Sequence, residues 1–576
     1  MTTTMEKAIA WTKNPYFDED SRREIQTLID QNQTKEIEER FYRDLEFGTG
    51  GLRSIMGAGL NRMNKYNIRK ASQALAQEIK AHLPTGKVAK VCLSYDSRNN
   101  SFFFAKEAAG VFAANGIEAH IYQRLNPVAM LSFAVRELGA QAGVMVTASH
   151  NPPEYNGFKV FWADGAQVTP PFDENIINHY NQLQDFSLIK YVDFESGIKN
   201  GLIHWMTEEM ESRYHRAIEA TVVDKKLCLE KGNELKIVYT PIHGAGLIPC
   251  TSALKNIGFK NIEVVSEQAE PNGNFPTVKS PNPENPSALK MAVDLMIKTG
   301  ADIAMGSDPD TDRLGVAFID RNNEVVYVNG NQIGILKLHY VLSQKKKLGV
   351  LKANSYFVKS IVTSSLQDHI AQSFGVETYN TLTGFKWICG KMNELEKSSP
   401  EREFVFATEE SFGYLSHNFA RDKDGISSVT LMAEVALFYK LQGLNLNEAL
   451  DKIYTEFGFS HETVLSIDYF GIEGQQKIAR IMNNLRELSG SPIGFETLET
   501  LKDYKKGIEG LPKSNVLGFF FKSGNQLYAR PSGTEPKIKF YLMIRETTGS
   551  LEEKKKNAYK KTEETLKIIK EFSEKA

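Results

Sequence analysis

Val88-Ala-Lys-Val-Cys-Leu-Ser-Tyr-Asp96 is an apolar, strand-forming run that ends on a carboxylate. A helix is expected over Phe103–Asn115, rich in Ala and Phe, followed by Gly116 and a second strand at Ala119–Tyr122. Gly at that point suits a helix end, because only Gly takes the left-handed conformation without strain. The plan is a βαβ unit, and it recurs twice. Leu235-Lys-Ile-Val-Tyr239 leads to a helix through Ala253–Ile257, Gly258 and a strand at Ile262–Val265. Leu348-Gly-Val-Leu351 leads to a helix over Val358–Ser373, Gly375 and a strand at Val376–Tyr379. The glycines are 142 and 117 residues apart, a domain spacing and not a solenoid period.

Beyond the third repeat the pattern changes. A strand at Thr463–Tyr469, a helix at Gln475–Leu488, strands at Val516–Phe521, Gln526–Ala529 and Ile538–Ile544, and a charged helix from Leu551 describe an α+β domain with an antiparallel sheet. Glu552–Lys575 reads as an amphipathic surface helix. Before the first repeat, Ser21-Arg-Arg-Glu24 has capping-box spacing for a helix on an N-terminal extension. The expected divisions are an extension at 1–40, α/β domains at 41–205, 206–328 and 329–455, and an α+β domain at 456–576.

Across 576 residues, Lys plus Arg is 69 and Asp plus Glu is 71, so nothing favours a nucleic-acid partner. Met1–Lys7 lacks the apolar core of a secretory signal, and Val429–Leu441 is too short and too charged to span a bilayer. Cys92, Cys228, Cys250 and Cys389 have neither zinc nor redox spacing. A cytoplasmic protein without nucleic-acid or membrane partners is expected.

Four loops carry chemistry. Asp308-Pro-Asp310-Thr-Asp312-Arg313 lies between two strand-like runs, Ile303–Met305 and Leu314–Ile319, and alternate side chains of an extended loop can converge. Three carboxylates suit Mg²⁺ or Ca²⁺, whereas the Gly and Glu that an EF-hand requires are missing. Thr147-Ala-Ser149-His150-Asn-Pro-Pro153 follows the strand Ala142–Val146, a position suited to a nucleophile. Adjacent Ser and His side chains rarely pair, so His150 is not expected to act as the base for Ser149. Arg530-Pro-Ser532-Gly533-Thr534-Glu-Pro536 collects phosphate-oxygen donors between two strands. Thr408-Glu409-Glu410-Ser411-Phe-Gly413 could accept sugar hydroxyls, or could open a helix. Each loop by itself also fits a polar turn. No P-loop, Rossmann fingerprint or zinc helix competes. Together the loops describe phosphoryl transfer on a phosphorylated polyol.

With these motifs and Phe47-Gly-Thr-Gly-Gly-Leu-Arg53, the chain resembles the α-D-phosphohexomutases over nearly its whole length, and most closely the long-chain phosphoglucomutase/phosphopentomutase-like branch. The resemblance implies three related α/β mixed-sheet domains and a TATA-binding-protein-like α+β domain around a central cleft. It implies that Ser149, His150, Lys159, Lys423 and Arg53 form the catalytic set, with one Mg²⁺ per chain on Ser149, Asp308, Asp310 and Asp312. A lysine with its pKa lowered toward neutrality would remove the hydroxyl proton. Arg313, Thr383, Gly384, Lys386, Glu409, Ser411, Arg530, Ser532, Gly533, Thr534 and Lys539 would bind substrate. Lys539 stands where Arg is more usual. The implied reaction interconverts glucose 1-phosphate and glucose 6-phosphate through a phosphoserine, with glucose 1,6-bisphosphate as intermediate and activator. Pentose or mannose phosphates, or net bisphosphate synthesis, are the alternatives, and a Mg²⁺-dependent phosphatase or a non-catalytic sugar-phosphate sensor would use the same loops. The partners implied are small sugar phosphates, and the assembly a monomer or weak homodimer.

Overall fold

The computed structural model describes residues 3–488, 496–532 and 536–576. The chain forms two compact units, one of Met1–Val328 with Gly413–Leu437, the other of Asn329–Phe412 with Phe438–Ala576. Three α/β domains of mixed or parallel sheets are followed by a domain with an antiparallel sheet.

In the first unit a six-stranded sheet runs Gly51–Ile55, Tyr155–Trp162, Ala142–Val146, Lys90–Tyr95, Glu118–Tyr122, Ile203–Met206. Its last four strands are parallel, Tyr155–Trp162 joins Ala142–Val146 antiparallel, and Gly51–Ile55 joins Tyr155–Trp162 antiparallel in turn. Helix Ser101–Ala114 is apolar on nearly all sides and packs most of its length, from Phe104 to Ala113, against this sheet, while Phe102 and Phe103 stay exposed. The second sheet repeats the plan as Val325–Val328, Leu314–Ile319, Ile303–Ser307, Ile237–Thr240, Ile262–Val264. Both sheets therefore end in an antiparallel pair at the side that carries the Ser or Asp loop. Gly116 and Gly258 take positive φ values of 74° and 114° after their helices, as the βαβ reading requires.

Gly413–Leu437 returns to this unit from beyond the third repeat. Asp424 Oδ2 accepts from the Tyr214 hydroxyl and lies 2.6 Å from His417 Nε2, and Asp422 Oδ2 accepts from Gln167 Nε2 at 2.8 Å. Glu434 accepts from the backbone N–H groups of Val223 and Asp224 at 3.2 and 2.5 Å.

In the second unit Glu377–Thr381, Ser355–Ser360 and Glu403–Glu409 are parallel, with Ser355–Ser360 in the middle. This corrects the third repeat. Leu348–Leu351 is not a strand, since Leu348 and Val350 are exposed, and the expected helix start at Val358 is strand. Ser355–Ser360 is buried at every position, and the helix is the shorter Leu366–Ser373. The last sheet runs Phe459–Asp468, Lys537–Glu546, Gln526–Pro531, Leu517–Phe521, Leu498–Asp503, all antiparallel. The polar strand Leu498–Asp503 has no counterpart in the sequence reading. Helix Leu551–Lys575 buries one face, from Ala558 to Ile569 and Ser573, as its pattern predicts.

The N-terminal helices pack Trp11, Phe17, Ile25 and Phe41 against Tyr66. The cap of the second helix is Asp18 and not Ser21: Asp18 Oδ1 accepts from the Ser21 N–H at 2.8 Å and Oδ2 from its hydroxyl at 3.1 Å. Asp18 therefore takes the capping role that Ser21 would need to hold. Among the described residues, no helix is long and apolar enough to cross a membrane.

Candidate active site

Ser149 sits just past the C-terminal end of the buried strand Ala142–Val146 with φ 52°, unusual for a residue with a side chain. Its N–H donates to Thr147 Oγ1 at 2.8 Å, and its hydroxyl donates to Asp308 Oδ2 at 3.1 Å. The left-handed backbone also turns Ser149 Oγ to within 3.2 Å of His150 Nδ1, so the adjacent pair does meet, against the sequence expectation. Burial and the charges of Arg313 and Arg53 push the His150 pKa down to about 2, leaving a neutral imidazole.

Asp308, Asp310 and Asp312 are all buried, and one ligand oxygen from each lies within 4.8 Å of the others. Asp308 Oδ1 accepts from the N–H groups of Asp312 and Arg313, each at 3.0 Å, which folds the loop around it. Burial and then repulsion from Asp312 and Asp310 hold the Asp308 carboxyl well above the ordinary range. Asp312 goes the other way: Lys423, Lys159 and Arg313 overcome its burial and hold it low. Gly425 is required where the returning segment meets this loop. Its N–H donates to Thr311 O at 3.0 Å, and a Cβ there would stand 2.5 Å from that oxygen.

Lys159 Nζ is 2.7 Å from Asp310 Oδ2 and 3.6 Å from Asp312 Oδ2, while Lys423 Nζ is 3.2 Å from Asp312 Oδ2. The expectation of a lysine lowered toward neutrality fails at Lys159. Burial would lower it, but Asp310 and Asp312 more than offset burial and raise it. Arg53, paired in register with Gly157, donates to Asn151 Oδ1 at 3.1 Å, and Arg313 pairs with Glu284. The structure thus brings together Ser149, His150, the three aspartates and Lys159, with Lys423 joining through Asp312.

The fit to a divalent cation rests on the donors themselves. Oδ1 of Asp310 and Oδ1 of Asp312 are buried without a hydrogen-bond partner, which is costly unless a cation completes the site.

In the second unit the remaining loops are seen. Glu409 ends the strand Glu403–Glu409, which removes the helix-opening alternative for this loop. Glu410 accepts from Ser360 Oγ at 3.0 Å, and burial, then repulsion from Glu409, push it up to about 7 despite Arg530. Arg530 and Lys539 face each other across neighbouring strands, and Ser532 N–H donates to Lys537 O at 2.7 Å. Burial, then the nearby Glu410, raise the Tyr541 hydroxyl to about 12, opposed by its hydrogen bond with Arg530. The sugar and phosphate loops are therefore electrostatic neighbours. Thr383 and Gly384, the latter with φ 108°, precede helix Phe385–Ser398, and Lys386 Nζ lies 4.8 Å from the Trp387 ring centroid. Gly533 and Thr534 lie outside the described residues.

Sequence reasoning missed Asp96, Arg98, Asp424 and Tyr541. The first two sit at the C-terminal mouth of a parallel strand, where α/β sheets bind ligands, and that rule could have found them.

Family models described as "Phosphoglucomutase/phosphomannomutase, alpha/beta/alpha" domains I, II and III match residues 44–186, 212–321 and 329–457. The chain is 36% identical over 518 residues to a phosphoglucomutase of Staphylococcus saprophyticus, covering 87% of this chain and 90% of that one. It is 35% identical over 532 residues to a phosphoglucomutase of Staphylococcus aureus, covering 89% and 92%. The fold is similar to a putative phosphomannomutase from Thermus thermophilus, with TM-score 0.67, 20% identity and coverage of 92% and 99%. It is also similar to pp63/parafusin, a phosphoglucomutase of Paramecium in its open form, with TM-score 0.68, 18% identity and coverage of 92% and 96%. Matching domains, relatives more than one-third identical over most of both chains, and a Ser loop seated on an aspartate cluster have one reading: this chain belongs to the phosphoglucomutase/phosphomannomutase family, the α-D-phosphohexomutases.

Proposed function

We propose that the chain is a phosphoglucomutase that interconverts glucose 1-phosphate and glucose 6-phosphate. The observation that carries the chemistry is the hydrogen bond from Ser149 Oγ to Asp308 Oδ2 within three buried carboxylates. The choice of glucose follows the relatives at 34–36% identity that bear that name.

Ser149 carries the phosphoryl group. As a sugar hydroxyl oxygen bonds to phosphorus, the Ser149 Oγ–P bond breaks and the product is glucose 1,6-bisphosphate. The hydroxyl's proton leaves to a base while Oγ gains one from an acid, and Lys159 and Lys423 are the groups placed at the aspartates for that exchange. The second transfer reverses these steps with the other phosphate of the intermediate. One Mg²⁺ on Ser149, Asp308, Asp310 and Asp312 would supply electrostatic stabilisation of the transferring phosphate. Neutral His150 and the guanidinium groups of Arg53 and Arg313 orient groups around it. In the second unit Glu409 and Ser411 accept sugar hydroxyls, Thr383, Gly384 and Lys386 read substrate orientation, and Arg530, Ser532, Gly533, Thr534 and Lys539 hold the phosphate that is not reacting. The enzyme works in the cytoplasm on free sugar phosphates, as a monomer or weak homodimer. Its four cysteines, all free and buried, suit a reducing compartment.

Purified protein with Mg²⁺ and a trace of glucose 1,6-bisphosphate should convert glucose 1-phosphate in a coupled assay. Faster conversion of ribose 1-phosphate or mannose 1-phosphate would reassign the substrate. Release of inorganic phosphate without isomerisation would make it a phosphatase.

A further inference from the structure

Four backbone carbonyls of the segment that carries Ser149 converge on one side chain. Arg98 Nη2 donates to the carbonyl oxygens of Ser149, at 2.6 Å, and Asn151. Arg98 Nη1 donates to those of Pro152 and Tyr155, at 2.9 and 3.1 Å. A guanidinium holds its five donors in one rigid plane, so it can fix several carbonyls relative to one another, which a rotating ammonium does poorly.

Arg98 is itself locked. It is 3% exposed, its N–H donates to Asp96 Oδ1 at 2.9 Å, and its Nε lies 3.5 Å from Asp96 Oδ2. Its guanidinium carbon stands 5.1 Å from the Phe275 ring centroid, so the second sheet's domain closes over it. Asp96 then reaches the other side of Ser149. Asp96 Oδ2 accepts from Thr147 Oγ1 at 2.6 Å, and Thr147 Oγ1 accepts the Ser149 N–H at 2.8 Å. Ser149 is thus held from its N–H side through Asp96 and from its carbonyl side by Arg98.

That grip has something to oppose. A serine at φ 52° is in a sparsely populated conformation that persists only where its surroundings over-determine it. This conformation directs Oγ at Asp308. A purely structural arginine would need only to satisfy loop carbonyls anywhere in the turn, whereas these contacts bracket the one strained residue.

We propose that Arg98, anchored by Asp96, is the positioning residue of the phosphoryl carrier: it holds Ser149 in the left-handed conformation that aims Oγ at Asp308. The role rests on the reading of Ser149 as carrier. It predicts that loosening Arg98 slows phosphoryl transfer without weakening sugar binding, because nothing in the second unit changes.

The test uses full-length wild type, Arg98→Lys, Arg98→Ala and Asp96→Asn. Uptake of phosphate onto Ser149 from glucose 1,6-bisphosphate is followed in a single turnover, beside steady-state kcat and KM. Misplacing a reacting group by about an ångström costs on the order of a hundredfold in rate. Arg98→Lys should therefore take up phosphate roughly 10- to 100-fold more slowly, with kcat falling in parallel and KM for glucose 1-phosphate within about twofold. Millimolar guanidinium should restore part of the Arg98→Ala rate. Amide hydrogen exchange should quicken over residues 147–154 and stay unchanged in the sheet strands. If Arg98→Ala does not fold, Arg98→Lys and Asp96→Asn decide the matter by rate and exchange together. Phosphate uptake by Arg98→Lys at the wild-type rate would overturn the positioning role alone. Faster exchange throughout the first unit would overturn it too, by making Arg98 a general stabiliser. A wild type that takes up no phosphate would overturn the carrier reading and this role with it.

Discussion

Ser149 Oγ and Asp308 Oδ2 are 3.1 Å apart across 159 positions of sequence, which places a serine hydroxyl on the rim of a carboxylate cluster. Ser149→Ala should abolish phosphate incorporation from glucose 1,6-bisphosphate and lower mutase turnover by roughly a thousandfold or more, since the variant lacks the proposed carrier hydroxyl. Peptide mass spectrometry after incubation checks the first outcome. A labelled variant would place the carrier elsewhere.

The Oδ1 atoms of Asp310 and Asp312 are buried without hydrogen-bond partners, which favours a cation at the cluster. Chelation with EDTA should remove turnover, and Mg²⁺ should restore it. Saturating Mg²⁺ should also raise the melting temperature, because a ligand at about a hundred times its Kd stabilises by about 2.7 kcal/mol. Asp310→Asn should lose most of both effects, measured by calorimetry and coupled assay.

Arg530 stands opposite Lys539 on the neighbouring strand, so two cationic residues share one register position. A hydrogen bond to a charged group is worth about 1.5–3 kcal/mol, so Arg530→Ala should raise KM for glucose 1-phosphate roughly ten- to a hundredfold. Slow hydrolysis of the Ser149 phosphate by water should stay near its wild-type rate. Equal losses in both would assign Arg530 to the reacting phosphate.

Glu410 carries a pH dependence whose sign is fixed by its raised pKa. The folded chain keeps its proton up to about 7, while the unfolded chain releases it near the ordinary 4.5. Stability contributed by the protonated form is complete below about 4.5 and is lost as pH rises through 7. Glu410→Gln should flatten that loss, by on the order of 1–2 kcal/mol with partial solvent screening, in urea titrations at pH 5 and pH 8.

His120, stacked on His204, gives the opposite slope. Their rings stack across paired strands with centroids 4.9 Å apart, and burial, then His204, lower the His120 pKa. Its neutral form is favoured in the fold, so stability falls as pH drops below the unfolded value near 6.5. His120→Phe keeps the stack and removes the proton site. Its melting temperature should fall less than the wild type's between pH 7 and pH 5, as calorimetry would show.

The sequence was most legible where chemistry and structure are contiguous. Ala142–Val146 and Leu314–Ile319 end as strands where they were read to end, because each is an unbroken apolar run stopped by polar residues. Leu348–Leu351 misled because a four-residue apolar run does not reveal whether a sheet covers it, and here nothing does. Leu498–Asp503 escaped because an edge strand can be polar on both faces. The aspartate cluster was visible because its members alternate along one loop. The embedding of Ser149 was not, since Asp96 and Arg98 hold it through partners some fifty positions away. The rule of adjacency that argues against a Ser149–His150 pair holds for extended backbone and fails at φ 52°.

The return of Gly413–Leu437 to the first unit bears on how the protein is made. A ribosome that has released residues up to Val328 has produced both large sheets but not Lys423, Asp424 or Gly425. Until some hundred further residues emerge, roughly 5–20 s at ordinary rates of synthesis, Tyr214, Gln167 and Thr311 lack the segment that covers them. The nascent first unit therefore waits with its aspartate loop uncovered by that segment. A chain cut at Val328 would stay in that state and be the form most in need of a chaperone.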